Sequence, residues 1–402
     1  MAQEPGVGDA RPSVRRLLTN RHRYGVYVLG AGLSNLGTWC QTLAGVLLVY
    51  RLTGSTLFVG LASVCQFAWP IVLGPWAGLL ADRVERRRLL VVVQLAAAAV
   101  SGTLAALTLT GTVRIGHALA AIALLGVLQA FQAPAQVALV PLLASAQERE
   151  LALSLSSSQF NVARALGPVL ASGLVVVGGP GLPFLVNSAS FLLYVGLIVA
   201  TRPAPQPMPT MPPRLRDTLT AVTGHPALLP LFAIGFVTSG STDVVTTLGP
   251  ALSVQLTGGD DWTGWLVTAF GGGATVAAIW LVPLLRRVRR RLPWTICVEA
   301  VGFVVLALAP NPAAALTGAV LVGVGFLLSV NRSLYAVHTL VAPELVGRVS
   351  AVWLMAFLGG RACYALAAGA VAQGWGPRAV LLLVAVTVVA AAVGARFLPV
   401  RD

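Results

Sequence analysis

The chain has 402 residues, 57% of them hydrophobic and 10% charged, with 27 basic residues against 13 acidic ones and a formal net charge of +14. So little polar material cannot coat a soluble globule of this size, and so many apolar residues exclude a disordered chain. A nucleic-acid surface would account for the charge but not for the apolar bulk, which leaves a multi-span membrane protein with basic loops.

Residues 1–24 are polar and basic, lack an apolar core, and read as a cytoplasmic tail, not a cleavable signal. A membrane helix needs about 20 mostly apolar residues, and twelve such segments follow. The first six run at 25–49, 57–80, 89–110, 116–141, 151–177 and 183–200. A Pro-rich stretch, 201–226, has no span and reads as a cytoplasmic linker. The second six run at 227–252, 262–285, 293–309, 312–341, 346–372 and 378–398, with 399–402 as a short tail. The halves are thus 25–200 and 227–398. The runs are long and do not alternate, so they are helices and not barrel strands.

Arginine placement tests this layout. Every basic residue is Arg, and with both termini in the cytoplasm 21 of the 27 fall on the cytoplasmic side. Three (Arg51, Arg114, Arg378) fall outside and three (Arg164, Arg332, Arg361) within spans. That asymmetry follows the positive-inside rule, and dropping any span would mix the two populations.

The halves repeat each other. Leu52-Thr53-Gly54 matches Leu256-Thr257-Gly258 at an offset of 204, which Gly60 and Gly264 share. An offset of 197 then pairs Gly126 with Gly323, Phe160 with Phe357, Arg164 with Arg361, and Gly179-Pro180 with Gly376-Pro377. Two parallel six-span halves place a substrate site between them, near the membrane midplane, as in the major facilitator superfamily. The expected fold is all-α and polytopic, with 12 transmembrane helices in two pseudo-symmetric six-helix halves.

Loop 2–3, Gly78-Leu79-Leu80-Ala81-Asp82-Arg83-Val84-Glu85-Arg86-Arg87-Arg88, resembles that superfamily's signature Gly-x3-Asp-Arg/Lys-x-Gly-x-Arg/Lys-Arg/Lys, with Glu85 in place of the second Gly. The resemblance implies a conformational latch built from Gly78, Asp82, Arg83, Arg87 and Arg88, with Asp82 against the start of span 11. Ser34-Asn35-Leu36-Gly37-Thr38-Trp39, Phe160-Asn161-Val162-Ala163-Arg164 and Pro343-Glu344-Leu345-Val346-Gly347-Arg348 are similar to the branch holding the enterobactin exporter and macrolide efflux pumps. In span 5, Ala163-x3-Gly167-Pro168-x2-Ala171-Ser172 is similar to an antiporter motif, diluted by small residues that still allow close helix packing.

Residues at i, i+3, i+4 and i+7 share a helix face. By that rule the cavity candidates are Asn35 and Trp39 in span 1, Gln129, Gln132 and Gln136 in span 4, and Asn161 and Arg164 in span 5. In the second half they are Thr246 in span 7, Arg332 in span 10, and Trp353, Phe357 and Arg361 in span 11. A charge in mid-span costs at least about 2.5–3.5 kcal/mol on insertion scales, so it calls for a partner or a watery cavity. Asp243 either couples transport to protons or forms a salt bridge with an Arg that joins the halves. Glu299, two turns into span 9, is expected to reach back towards the arginines of loop 8–9.

Scattered Cys and His give no metal cage, and no phosphate-binding loop or paired catalytic constellation is found. The expected function is proton-gradient-driven export of amphipathic small molecules (a drug, antibiotic, siderophore or other metabolite) by a non-enzymatic, cofactor-free monomer. It would sit among the lipids of the cell (inner) membrane, with no nucleic-acid partner. Uptake of a nutrient or anion is the alternative, followed by a non-transporting sensor or complex partner.

Overall fold

The computed structural model describes residues 13–20, 22–205, 224–284, 292–341 and 345–398. The first tail residues, the middle of the linker, the loop 8–9 arginines, Pro343-Glu344 and the last four residues lie outside them. So do the side chains of Asp82 and Arg348.

After a short helix, Val14–Leu18, six helices form the first half: α1 Tyr24–Thr53, α2 Thr56–Arg83, α3 Arg86–Leu109, α4 Ile115–Leu139, α5 Arg149–Gly178 and α6 Leu182–Ala200. The second half begins with α7 Leu228–Thr257 and α8 Trp262–Val276, which widens into a π turn at Ala277–Leu281. It continues with α9 Leu292–Leu308, α10 Pro312–Thr339 and one unbroken run, Val346–Ala395. Gly376, at φ 78 and ψ 162, breaks that run into α11 (346–375) and α12 (377–395).

Among the described residues, nine stretches are long and apolar enough to cross a membrane. One of these holds both α11 and α12. The 30-residue α1, diluted by Asn35, Gln41 and their polar neighbours, and the 17-residue α9 complete the twelve.

The repeat read from sequence is a repeat of helix endings and helix contacts. Gly54 and Gly258 both take the left-handed conformation, at φ 63 and φ 82, and close α1 and α7 by donating to Tyr50 O and Val254 O. Only a residue without Cβ adopts that cap at low cost. Gly179 and Gly376, at φ 71 and φ 78 with ψ 179 and 162, turn the chain out of α5 and α11 through a second conformation that also favours glycine. Gly126 lets α4 touch the backbone of Cys65 and Gln66 in α2, while Gly323 lets α10 touch that of Phe270 and Ala274 in α8.

The halves meet through α2 against α11 and α5 against α8. Small residues set these contacts. A Cβ on Gly60 would sit 2.4 Å from Ala365 O, and one on Gly369 would sit 2.3 Å from Thr56 O. Gly264 faces the side chain of Ser172, and Gly271 faces Ala165.

Among the described residues the seal lies at one end, opposite the arginine-rich loops. There Arg51, closing α1, grips Asp260 before α8 with two nitrogens, Nε–Oδ2 at 2.7 Å and NH2–Oδ1 at 2.9 Å. Thr56 donates to Gly369 O at 2.8 Å, and Gln373 donates to Ser55. Towards the arginine-rich end the halves part. Trp76 and Leu354 are exposed, and a Cβ on Gly78 would meet nothing within 4 Å. Ser154, Ser157, Ser158 and Asn161, one stripe of α5, are exposed as well. A polar stripe left exposed on a membrane helix lines a wet opening.

Candidate functional site between the halves

Two cavities lie side by side near the middle of the bundle. The larger, about 780 Å³ counting the space that opens to solvent, is framed mainly by first-half helices and presents Gln41, Gln66, Gln129, Gln132, Asp243 and Thr246. The smaller, about 530 Å³ on the same count, lies between the halves and presents Trp39, Arg164, Thr246, Phe357 and Arg361.

One ion pair stands where they adjoin. Arg361 of α11 donates to Asp243 Oδ1 of α7 through NH2 at 2.6 Å and Nε at 3.1 Å. Asp243 lines the larger cavity, Arg361 lines the smaller, and Thr246 lines both. Asp243 is 3% exposed and its Oδ2 has no partner. The expectation of a bridge joining the halves is corrected here, because α7 and α11 belong to the same half. Packing of α11 against α7 across Gly240 and Gly360 brings the two charges into register.

What Arg361 gives to the other half is its guanidinium face. It lies 4.0 Å from the centre of the Phe67 ring of α2 and 6.0 Å from that of Trp39 of α1. Arg164, its repeat mate on α5, lies 5.5 Å over Phe326 of α10. Each half thus sends one arginine onto an aromatic ring of the other, a contact attractive to the ring's negative face.

Other predicted cavity residues go elsewhere. Gln136 donates to Tyr194 Oη at 3.2 Å and its carbonyl accepts from Tyr27 Oη at 3.0 Å, so it belongs to a buried tyrosine cluster of the first half. Asn161 bonds back to Ser157 O of its own helix at 2.9 Å. Asn35 is buried and faces Gln159. Trp353, 5% exposed, stands behind Phe357 with ring centres 5.2 Å apart. Arg332 is half-buried on α10 and borders neither cavity. Helical spacing gives a face but not the depth at which that face meets a neighbour, which is why these five separate from the site.

Sequence reasoning passed over Gln66, Phe270 and Phe326. Phe67 and Phe270 fall within one residue of the 204 offset, a signal that could have found the latter.

Glu299 is fully buried and accepts a hydrogen bond from Ser241 of α7. The loop 8–9 arginines expected as its partners lie outside the described residues. The antiporter-like motif is a packing face. Gly167 meets Trp39 and the backbone of Cys40 on α1, and Pro168 borders the smaller cavity.

In the latch motif, Arg86 donates to Ala138 O at 3.1 Å and Arg87 donates to Val199 O. Those carbonyls end α4 and α6, where helix carbonyls lack partners and the dipole is negative. In this conformation these two arginines fasten helices of their own half. Arg83 and Arg88 are exposed.

The comparisons fit this architecture. A family model described as "Transmembrane secretion effector" matches residues 23–402. The chain belongs to that family. Among curated proteins, none matches the sequence. Several solved structures share the fold. A bacterial homolog of the human lysosomal transporter Spinster, inward-facing and occupied, has a TM-score of 0.78 at 12% identity, covering 94% of this chain and 97% of that one. The nucleoside transporter NupG has a TM-score of 0.72 at 14% identity, covering 93% and 98%. A D-xylose-proton symporter has a TM-score of 0.70 at 14% identity, covering 90% and 97%. This family member is therefore a multi-pass secondary transporter of the major facilitator superfamily, and not an enzyme.

Proposed function

We propose that the protein exports amphipathic small molecules in exchange for protons, by alternating access, from an inner membrane in which the arginine-rich end and both termini are cytoplasmic. The observation that carries this is the Asp243–Arg361 pair at the wall between two cavities, in a bundle sealed at the end opposite the arginines. With that sidedness the structure is the cytoplasm-open state, ready to load a molecule for export. The family description, a secretion effector, supports the direction.

The coupling rests on charge. A carboxylate inside a membrane bundle is tolerated while a guanidinium holds it, and a lone one is not. Rocking the halves pulls Arg361 by its stacking on Phe67 and so loads the bond to Asp243. When that bond yields, a proton replaces the arginine on Asp243; when the bond reforms, the proton leaves. The loop 2–3 motif acts in the opposite state, where closure of the arginine-rich end brings Gly78 and Asp82 to the start of α11.

A panel efflux assay in a host stripped of its own pumps, with and without an uncoupler, tests this reading. Uncoupler-sensitive extrusion of at least one amphipathic compound is expected. Gradient-driven accumulation of a probe instead would establish uptake.

A further inference from the structure

Three arginines lie within the spans, and the site between the halves holds two of them, Arg164 and Arg361, with the single acid Asp243. Asp243 is held by Arg361 through Oδ1 alone, and among the described residues no hydrogen bond or ion pair joins that acid to Arg164. Among the described residues, Arg164 makes no hydrogen bond and no ion pair. It lies over the ring face of Phe326 and feels the like charge of Arg361. Among the described residues no acidic side chain lines the smaller cavity. A ring face offsets only part of the cost of a cation at this depth, so the cavity keeps an unneutralised positive charge.

A second, independent group borders the same space. Ser239 of α7 is fully buried, borders the smaller cavity, and its hydroxyl has no partner. A buried donor left unpaired is uncommon, and it marks a place where something else supplies the acceptor. Beside these donors runs a row of rings. Phe270 and Phe326 lie 5.7 Å apart, Phe326 and Phe357 lie 6.2 Å apart, and Trp353 stacks behind them. A fork of N–H donors, a hydroxyl and an aromatic wall form one surface for a molecule with an anionic head and a flat apolar body.

We propose that Arg164 anchors an anionic group of the transported molecule, so that the carried class is the amphipathic anion: oxyanion head, ring-bearing body. The inference deepens the transport reading and rests on it for the presence of a carried molecule. It does not depend on direction or on proton coupling. Ser239 supplies the second hydrogen bond, and the anion neutralises Arg164 as Asp243 neutralises Arg361. The loaded site is then charge-balanced and can cross the midplane state that the unloaded, net-positive site resists.

The test uses the full-length protein in nanodiscs of zwitterionic lipid and two fluorescent probes on one ring system. These are 8-anilinonaphthalene-1-sulfonate, which is anionic, and N-phenyl-1-naphthylamine, which is neutral. After subtraction of empty nanodiscs, the wild type should bind the sulfonate at least about ten-fold more tightly than the amine. In Arg164→Gln that preference should collapse to parity while the amine still binds. Arg164→Lys keeps the charge, and so the fold, but loses the planar fork; it should lose at least about three-fold. Parity of the two probes on the wild type overturns the proposal without any variant, as does an undiminished preference in Arg164→Lys. Because this equilibrium measurement uses no gradient, intact efflux with probe parity sinks the anion anchor alone. Absent efflux with a sulfonate preference sinks the export reading alone.

Discussion

Arg164 and Arg361, 197 residues apart in the chain, occupy matching places in the two halves, and each lays its guanidinium on a phenylalanine of the opposite half. They differ in one respect: Arg361 has Asp243 and Arg164 has no acid. The repeat built a symmetric pair of contacts, and a single carboxylate on α7 made them unequal. In the proposed mechanism, coupling and substrate recognition thereby fall to different arginines.

The first prediction concerns that carboxylate. Asp243→Asn should leave a folded protein whose efflux no longer responds to the proton gradient. Efflux in proteoliposomes with an imposed pH step checks it, and full retention of gradient dependence would exclude Asp243 as the coupling group.

Removing one partner of a buried pair leaves an uncompensated charge and costs on the order of 3–5 kcal/mol. Arg361→Gln should therefore lower the thermal midpoint in nanodiscs more than the double variant Asp243→Asn/Arg361→Gln does. An equal or larger loss in the double variant would mean that the pair's value is in its packing and not in its charge balance.

At the sealed end, Arg51 and Asp260 are partly exposed, with side-chain accessibilities of 36% and 15%. Such a pair contributes no more than about 1 kcal/mol, weakened by salt. Asp260→Asn should shift the population only a few-fold towards the state open at that end, and raised ionic strength should do the same to the wild type. Spin-label distances between α1 and α8 measure both shifts.

Backbone contact makes the small-residue seam harder to perturb gently. Gly60→Val puts carbon where Ala365 O stands. Closure of the sealed end should be blocked, with labelling of cysteines placed near Ser55 rising several-fold and transport lost. Unchanged labelling would show that α2 and α11 can separate at no cost in this state.

Glu299 offers a test of buried polarity away from the cavities. Glu299→Gln keeps an acceptor for the Ser241 hydroxyl and should cost little. Glu299→Ala leaves that hydroxyl with Thr238 O of its own helix as its acceptor, so the cost is one buried hydrogen bond, about 0.5–1.5 kcal/mol, and that of an empty volume in the core. Melting temperatures should rank wild type and Glu299→Gln together, well above Glu299→Ala.

Much of the fold was legible because a membrane reduces the problem to long apolar runs and arginine counts. The repeat was legible at glycines, since Gly54, Gly258, Gly179 and Gly376 sit where backbone geometry admits little else. The site was legible only in part. Charges inside spans announced Arg164, Asp243 and Arg361, because few residues have reason to be there. Phe326 and Phe270 stayed hidden among ordinary apolar residues, and Gln136 misled because it shares a helical face with Gln129 and Gln132. Which neighbour a face meets is decided by helix crossings, and those depend on both halves at once. Arg51 and Asp260 show the same limit, since nothing local to either residue names the other.

The stacking of Arg361 on Phe67 has a mechanical meaning. A side chain held at its edge by one half and at its face by the other behaves as a linchpin: the halves cannot slide past it without also displacing a charge. Movement of the wall and movement of the charge then become a single event. A transporter built this way ties the swing of its halves to the strain on one ion pair.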